Sequence, residues 1–339
     1  MRIVVIGATG HIGSYLVPRL AAAGHHVVAL SRGRRGPYHP DPAWDGVERI
    51  AVDRAAEDAA GVFGARVAAL EPDAVVDLLC FTEDSARELV AALHGTGAML
   101  LSCGTIWVHG HATEVPATED APRNAFDDYG MAKAAIESYL LEQSNAGGVP
   151  AVVLHPGHIC GPGWPVVNPV GNFDLSVWER LAAGEPVVVP MLGLETVHHV
   201  HADDVAQAFH RALLAPAAIG QSFHTTSERA LTLRGFAEAV AGWFGRGAVL
   251  AFAPFQRFED STTAEHAAAS LDHVAHSPSM SIAKAHAILG YEPRYTSLAA
   301  VAESVRWLAA NGRIKVPTAE FGPPVPPVSV VPDGDWFEP

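Results

Sequence analysis

The chain has 339 residues, 49% of them hydrophobic and 17% charged, with a formal net charge of −15. That length and apolar content suit one large α/β unit with an added lobe, and an acidic chain without a long Lys/Arg run argues against a nucleic-acid or anionic-membrane partner. Three widely spaced cysteines, Cys80, Cys103 and Cys160, make neither a disulfide framework nor a CxxC metal site.

The opening MRIVVIG runs straight into an apolar stretch, without a charged leader region or a small-residue cleavage site. No apolar run reaches the roughly 18 residues of a spanning helix, so a cytoplasmic protein outside the membrane is expected. Residues 3–6, IVVI, read as a buried parallel strand. A helical pattern of Ile12, Leu16, Val17 and Leu20 follows, ended by Gly24. HVVAL (26–30), VERIAVD (47–53), PDAVVDLLC (72–80) and AMLLSC (98–103) read as further strands, with a helix over about 85–93. Strands alternating with helical stretches predict an α/β fold, a parallel sheet covered by helices on both faces. Beyond about residue 155 the pattern loosens. HPGHICGPGWPVVNPVGN (155–172) reads as a loop. DLSVWERLAAG, ADDVAQAFHRALLA and LTLRGFAEAVAGWFGR read as helices, the second with Asp203 or Asp204 placed to cap it. The proline-rich end, 313–339, is expected to be irregular.

Gly7, Gly10 and Gly13 form GxxGxxG between the first strand and the first helix. There Gly7 suits a tight turn, Gly10 lets the backbone approach a pyrophosphate, and Gly13 lets the helix pack close to the sheet. The helix N-terminus offers N–H groups and partial positive charge to the phosphates. Gly7, Thr9, Gly10, His11, Ile12 and Gly13 are therefore candidate dinucleotide contacts, and Leu79 and His155 join them. Where an NAD site places an acidic side chain after the second strand, the chain reads VVALSRGRRG. Ser31 fills the slot, and Arg32, Arg34 and Arg35 follow. Guanidinium groups fork onto a 2′-phosphate, so NADP is expected, with NAD as the alternative; a solvated basic loop is the plainer reading. Asp53 reads either as an acceptor for an adenine amino group or as a turn residue.

DDYGMAK places Tyr129 and Lys133 on one face of a helix that Asp127 or Asp128 can cap. A phenol titrates at about 10, which makes it a poor base at neutral pH; a lysine ammonium and an oxidised nicotinamide beside it favour the phenolate. A drop of about 3 units asks for about 4 kcal/mol. Tyr129 would then take a proton from an alcohol as hydride leaves its carbon, or return it.

GATGHIG, DDYGMAK, HPGHICGP, VHHVHADDVAQAF and LGYEPRYTSLAAVAESVRWL follow one another over residues 1 to about 310. In these the chain resembles the extended short-chain dehydrogenase/reductases of the NAD(P)-dependent epimerase/dehydratase family. The resemblance implies a Rossmann-type doubly wound parallel sheet with a smaller C-terminal α/β substrate lobe. Residues 1–157 would form the dinucleotide-binding core, with 196–220 returning to it; 158–195 and 221–312 would form the lobe. It implies hydride transfer at a hydroxyl or carbonyl carbon of a small molecule, and a homodimer through a helix bundle that includes the Tyr129 helix. Tyr129 and Lys133 match the family's catalytic pair. Its Ser/Thr, counted back from Gly110, falls on Thr105, with Ser102 as runner-up. Cys103 as a thiol nucleophile lacks a partner base.

Three positions depart from the family pattern. Bulky Phe81 stands beside the cofactor segment, Ile106 and Trp107 replace the Asp-Glu pair of the dehydratases, and Val197 stands where nucleotide-sugar members place an arginine. The chain has 18 histidines, and His198, His199 and His201 cluster. On a strand His199 and His201 share a face, which reads as a zinc site or as neutral hydrogen-bonders around a pocket; no metal is expected. Thr82, Trp107, His158, His199 and Trp164 are candidate substrate contacts. The segments 155–178 and 190–204 hold no Lys or Arg and offer Trp164 and Trp178. A small sugar-like or ketone substrate is therefore expected. A nucleotide-sugar epimerase and a non-catalytic dinucleotide-binding redox sensor are the alternatives.

Overall fold

Short runs of Val, Ile and Leu become the strands of one sheet in the computed structural model, which describes residues 1–317 and 320–326. The first half of the chain runs β1 (Arg2–Ile6), α1 (Gly13–Ala22), β2 (His26–Ser31), β3 (Glu48–Ala51), α2 (Arg54–Ala59), α3 (Phe63–Ala68), β4 (Ala74–Asp77), α4 (Glu83–Leu93), β5 (Met99–Cys103), α5 (Asp128–Asn145) and β6 (Ala151–Pro156). The second half runs β7 (His158–Cys160), α6 (Ser176–Ala183), β8 (Pro186–Pro190), β9 (Thr196–Val197), β10 (His199–His201), α7 (Ala202–Leu214), β11 (Gln221–Thr225), β12 (Leu231–Thr232), α8 (Leu233–Trp243), β13 (Val249–Ala253), α9 (Phe255–Glu259), α10 (Ala264–His276), α11 (Ala283–Leu289) and α12 (Ser297–Ala310).

Seven strands form a parallel sheet in the order β11-β6-β5-β4-β1-β2-β3. The chain reverses its direction of travel across the sheet between β1 and β4, so their carboxyl ends flank the crevice where open α/β sheets bind ligands. Strand side chains alternate between faces. Ile3, Val5, Val27 and Val76 meet Leu16 and Leu20 of α1, Phe209 of α7 and Leu289 of α11. Val4, Ile6, Val28 and Val75 meet Phe63 of α3, Leu89 and Leu93 of α4, and Ile136 and Leu140 of α5. A second core, around Trp178, Phe236 and Val305, joins α6, α8 and α12. Its edge strands pair as three two-stranded ribbons, β7 with β10, β9 with β12 and β8 with β13.

The structure differs from the sequence reading at several places. Part of 155–172 is not loop: it holds the end of β6 and all of β7, which pairs with β10 after the break at Gly157. β11 lies in the 221–312 stretch assigned to the second lobe, yet it is the edge strand of the large sheet beside β6. Neither Asp203 nor Asp204 caps α7; His201 does, its side chain accepting from the Asp203 N–H. Asp203 instead receives Arg19 at 2.5 Å and Arg294 at 2.6 Å, joining α1 to the segment before α12. Asp204 accepts the backbone N–H groups of Arg294 and Tyr295. Of the proline-rich end, 320–326 runs irregularly along α12, where Arg306 donates to the Phe321 carbonyl at 2.9 Å. Residues 318–319 and 327–339 lie outside the described residues.

Candidate active site

The glycine turn ends β1 and begins α1. Gly7 has φ +85° and donates its N–H to the Leu30 carbonyl. A Cβ on Gly10 would stand 3.1 Å from the Gly7 carbonyl oxygen, and one on Gly13 would stand 2.3 Å from that of Ala8. Glycine at 13 therefore sets how closely α1 follows the turn. No side chain caps α1 and no acidic residue occupies its first turn, so its N-terminal partial charge meets no internal anion. Such a cradle fits a pyrophosphate. Leu79 lies against it: a Cβ on Gly7 would come within 2.8 Å of Leu79 Cγ. Thr9 and Ile12 lie within the turn between these glycines.

Trp164 belongs to this turn and not to the substrate pocket, contrary to expectation. Its indole stacks on His11 at 3.2 Å and 5°, and its Nε1–H donates to the Ile159 carbonyl. Tyr38 packs against both rings and donates its backbone N–H to Ser14 Oγ. Arg35 lies 3.8 Å over the Tyr38 ring, and Arg34 stands 3.8 Å from Asp53. Arg32 is exposed. Ser31 Oγ accepts from the Gly33 N–H at 3.4 Å. Asp53 caps α2 by accepting from the Ala56 N–H, which is the turn role of its two readings.

Asp127, rather than Asp128, caps α5; its Oδ1 accepts from the Gly130 N–H at 2.8 Å. Tyr129 follows in the first turn and Lys133 one turn later. Lys133 is buried, and its Nζ donates to the Cys80 and Cys103 carbonyls at 2.7 Å each, clasping the segment that follows β4 to the end of β5. The same Nζ is 5.8 Å from the centre of the Tyr129 ring and 4.8 Å from that of Phe81. Thr105 follows β5 and opens a short 3₁₀ turn (Ile106–His109) by accepting from the Trp107 N–H. A pocket of about 170 Å³ is lined by Thr105, Ile106, Trp107, Tyr129, Pro156, Gly157 and His158. Burial pushes the Tyr129 phenol up to about 12, the Cys103 thiol adds to this, and a hydrogen bond with Thr105 opposes it. The Lys133 ammonium faces the Cys80 and Cys103 carbonyls rather than the phenol. Ser102 is buried and its Oγ has no partner among the described residues, so Thr105 is the hydroxyl on the pocket. Burial pushes the Cys103 thiol up to about 11, which leaves no nucleophilic thiolate at neutral pH.

His155 is fully buried, and the cofactor contact expected of it is replaced by an internal one. Its Nδ1 accepts the Thr105 N–H at 3.0 Å, and its Nε2 stands 3.1 Å from Glu137 Oε1. Gly104 makes the room: a Cβ there would lie 2.3 Å from His155 Nδ1. Arg123 forks onto both Glu137 oxygens at 2.9 and 2.6 Å. Burial opposes ionisation of Glu137, but His155 and Arg123 together hold its carboxyl well below the usual carboxylate range.

Of the other expected substrate contacts, Trp107 and His158 line the pocket. His199 lies buried behind His158, with ring centres 5.7 Å apart. Thr82 does not reach the pocket; its Oγ1 caps α4 by accepting from the Ser85 N–H. Trp178 is fully buried in the second core. Sequence reasoning missed His276 of α10, which stacks on Trp107 at 4.0 Å and stands 3.1 Å from Asp127 Oδ2. No motif marks α10. Glu137 carried a signal, since it is one helical turn beyond Lys133 on the same face. Among the described residues no group of three or more His, Cys, Asp or Glu is arranged to hold a metal ion, and no helix is long and apolar enough to cross a membrane.

The model of the NAD dependent epimerase/dehydratase family matches residues 3–224. The chain is 30% identical over 246 residues to a 2′-dehydrokanamycin reductase of Streptomyces kanamyceticus, covering 73% of this chain and 67% of that protein. It is 29% identical over 266 residues to a UDP-glucose 4-epimerase of Mycolicibacterium smegmatis, covering 72% and 83%. Among solved structures, the enzyme WbmG of Bordetella bronchiseptica in complex with NAD superposes with a TM-score of 0.68 at 19% identity, covering 93% of this chain and 96% of that one.

Proposed function

The chain belongs to the NAD dependent epimerase/dehydratase family, as an enzyme of the short-chain dehydrogenase type, and from that premise we propose that it reduces the ketone of a small, neutral, sugar-like ring with NADPH. The observation that carries this reading is the pocket. Thr105 and Tyr129 face one space at the carboxyl end of the sheet, and among the described residues no Lys or Arg lines it. A buried diphosphate left without cationic partners would cost several kcal/mol. Two arginines of the later lobe are engaged elsewhere, Arg234 with Glu238 at 2.9 Å and Arg294 with Asp203 at 2.6 Å. The relative from Streptomyces kanamyceticus is named for the reduction of a ketone.

In this reading the Gly7–Gly13 turn and the N-terminus of α1 take the pyrophosphate, and Arg32 takes the 2′-phosphate. The dinucleotide, when bound, supplies the hydride. Lys133 has three N–H groups and gives two to carbonyls, which leaves one for the nicotinamide ribose. A phenol that titrates at about 10 or above is protonated at neutral pH, so Tyr129 has a proton to donate. It gives that proton to the ketone oxygen as hydride reaches the carbon, while Thr105 orients the same oxygen. His155 and Glu137 hold the Thr105 backbone from behind. The family resemblance further leads us to propose a homodimer through a bundle that includes α5.

An NADPH-consumption assay over a panel of ring ketones, keto-aminoglycosides included, tests the reading, together with calorimetric titration of UDP, dTDP and GDP in saturating NADP. Turnover of at least one ketone without nucleotide binding is expected. Micromolar binding of any of the three nucleotides returns the chain to the nucleotide-sugar epimerases. Tight dinucleotide binding with no turnover makes it a non-catalytic sensor.

A further inference from the structure

His158 on β7 and His199 on β10 are register partners across a parallel ribbon, so their side chains share one face. Backbone groups fix both tautomers. The His198 N–H donates to His158 Nδ1 at 3.2 Å, so that nitrogen carries the lone pair and Nε2 carries the hydrogen. His199 Nε2 faces the Val167 carbonyl at 3.0 Å, so there Nε2 carries the hydrogen and Nδ1 the lone pair. What remains is a donor on His158 and an acceptor on His199. Neither atom has a partner among the described residues. Burial, reinforced by neighbouring imidazoles, holds both rings neutral: His158 goes well below its ordinary range and His199 to about 3. His198, by contrast, is satisfied at both nitrogens, by the Ser227 carbonyl and the Met280 N–H.

An unmade buried hydrogen bond costs about 1–3 kcal/mol, and here one of each polarity stands on adjacent strands: His158 lines the pocket that holds Thr105 and Tyr129, and His199 lies fully buried directly behind it, with ring centres 5.7 Å apart. We propose that His158 and His199 form a hydroxyl subsite, in which a ring hydroxyl of the substrate accepts from His158 Nε2–H and donates to His199 Nδ1. The subsite rests on the reading of that pocket as the substrate site. A hydroxyl satisfies both atoms. An ammonium only donates, a ketone only accepts, and a methylene does neither. The pair therefore selects a hydroxylated ring over its deoxy counterpart, because the deoxy ring leaves both nitrogens unpaired.

The test uses myo-inositol, its 2-keto derivative and cyclohexanone as probes. Long-range ¹H–¹⁵N correlation on the NADP-loaded, histidine-labelled protein is expected to show the Nε2–H form at both His158 and His199. Myo-inositol should then shift His158 Nε2 and His199 Nδ1 while His198 stays still. An Nδ1–H form at either residue overturns the subsite, and so does the absence of a shift with both inositol probes. In the NADPH assay, His158→Phe is expected to lower the ratio of kcat/KM for the keto-inositol over cyclohexanone by about 10- to 100-fold. An unchanged ratio in the folded variant also overturns it. If the resonances shift but neither ketone is reduced, the reductase reading fails and the subsite stands.

Discussion

Tyr129 is 43% exposed at the mouth of the crevice, while Lys133 behind it is 2% exposed. The two residues therefore fail differently when removed. Tyr129→Phe deletes the proposed proton donor and nothing that supports the strands, so kcat is expected to fall at least about 100-fold, with dinucleotide affinity within a few-fold by titration. Lys133→Ala leaves the Cys80 and Cys103 carbonyls without their donor, so it should lower thermal stability as well as turnover. Arg32→Ala should weaken NADP by about 10- to 100-fold and leave NAD nearly unchanged, because only the former carries the extra anion; equal losses in two calorimetric titrations would assign the basic loop another task. That Tyr129 and Lys133 sit one turn apart on α5 and that the glycine turn joins β1 to α1 were legible in the sequence because these spacings encode local geometry, whereas Thr105 came from the family resemblance. His155 was not legible, since its orientation depends on a missing Cβ at Gly104, a strand away. Trp164 was misplaced because its ring partner, His11, is remote in the chain.

At the scale of elements, α5 is bound to the rest of the fold by charge as much as by Ile136 and Leu140. Glu137 links it to Arg123 in the preceding loop and to His155 on β6. Its carboxyl is depressed in the folded state, so the unfolded chain takes up a proton first as pH falls. The stability it contributes is present above the ordinary carboxylate value of about 4.3 and is lost as pH falls below it. Glu137→Gln should destabilise the protein at pH 7 by about 3–5 kcal/mol, since it leaves the Arg123 fork half-buried without its counter-charge. In denaturant titrations its deficit relative to wild type should shrink toward acid pH; a constant deficit would mean that the carboxylate charge plays no part. Gly104→Ala drives a methyl into His155 and is expected to lower both Tm and kcat. The long apolar runs made the sheet readable, and Asp127, one of the two candidate caps, and Gly184 marked helix ends. β7 escaped because a strand of three residues in a Pro- and Gly-rich stretch carries no period, whereas β10 falls on the TVHHVHA run, which reads as a candidate strand. The cap of α7 escaped because His201, a less usual cap than aspartate, takes the role while Asp203 and Asp204 serve more distant partners.

Across the whole molecule, Asp203 holds Arg19 of α1 and Arg294 before α12 at once, and so fastens the glycine-turn helix to the C-terminal half. Removing it should cost about 1.5–3 kcal/mol, a charged hydrogen-bond's worth, and Asp203→Ala should show this as a lower midpoint in one cooperative transition. The place of β11 at the edge of the large sheet was not readable, because nothing local distinguishes an edge strand of the core from a strand of the lobe. Sequence-distant loops also meet at the glycine turn, where Tyr38 and Trp164 close on His11. In optical terms that meeting makes Trp164 a sensor: an indole lying flat on a turn residue changes its emission when that residue's surroundings change. Dinucleotide entering the cradle should alter the fluorescence of Trp164 with occupancy, and Trp164→Phe should reduce the response to whatever Trp107, on the pocket wall, contributes. The chain then signals its own loading before any substrate for it is in hand.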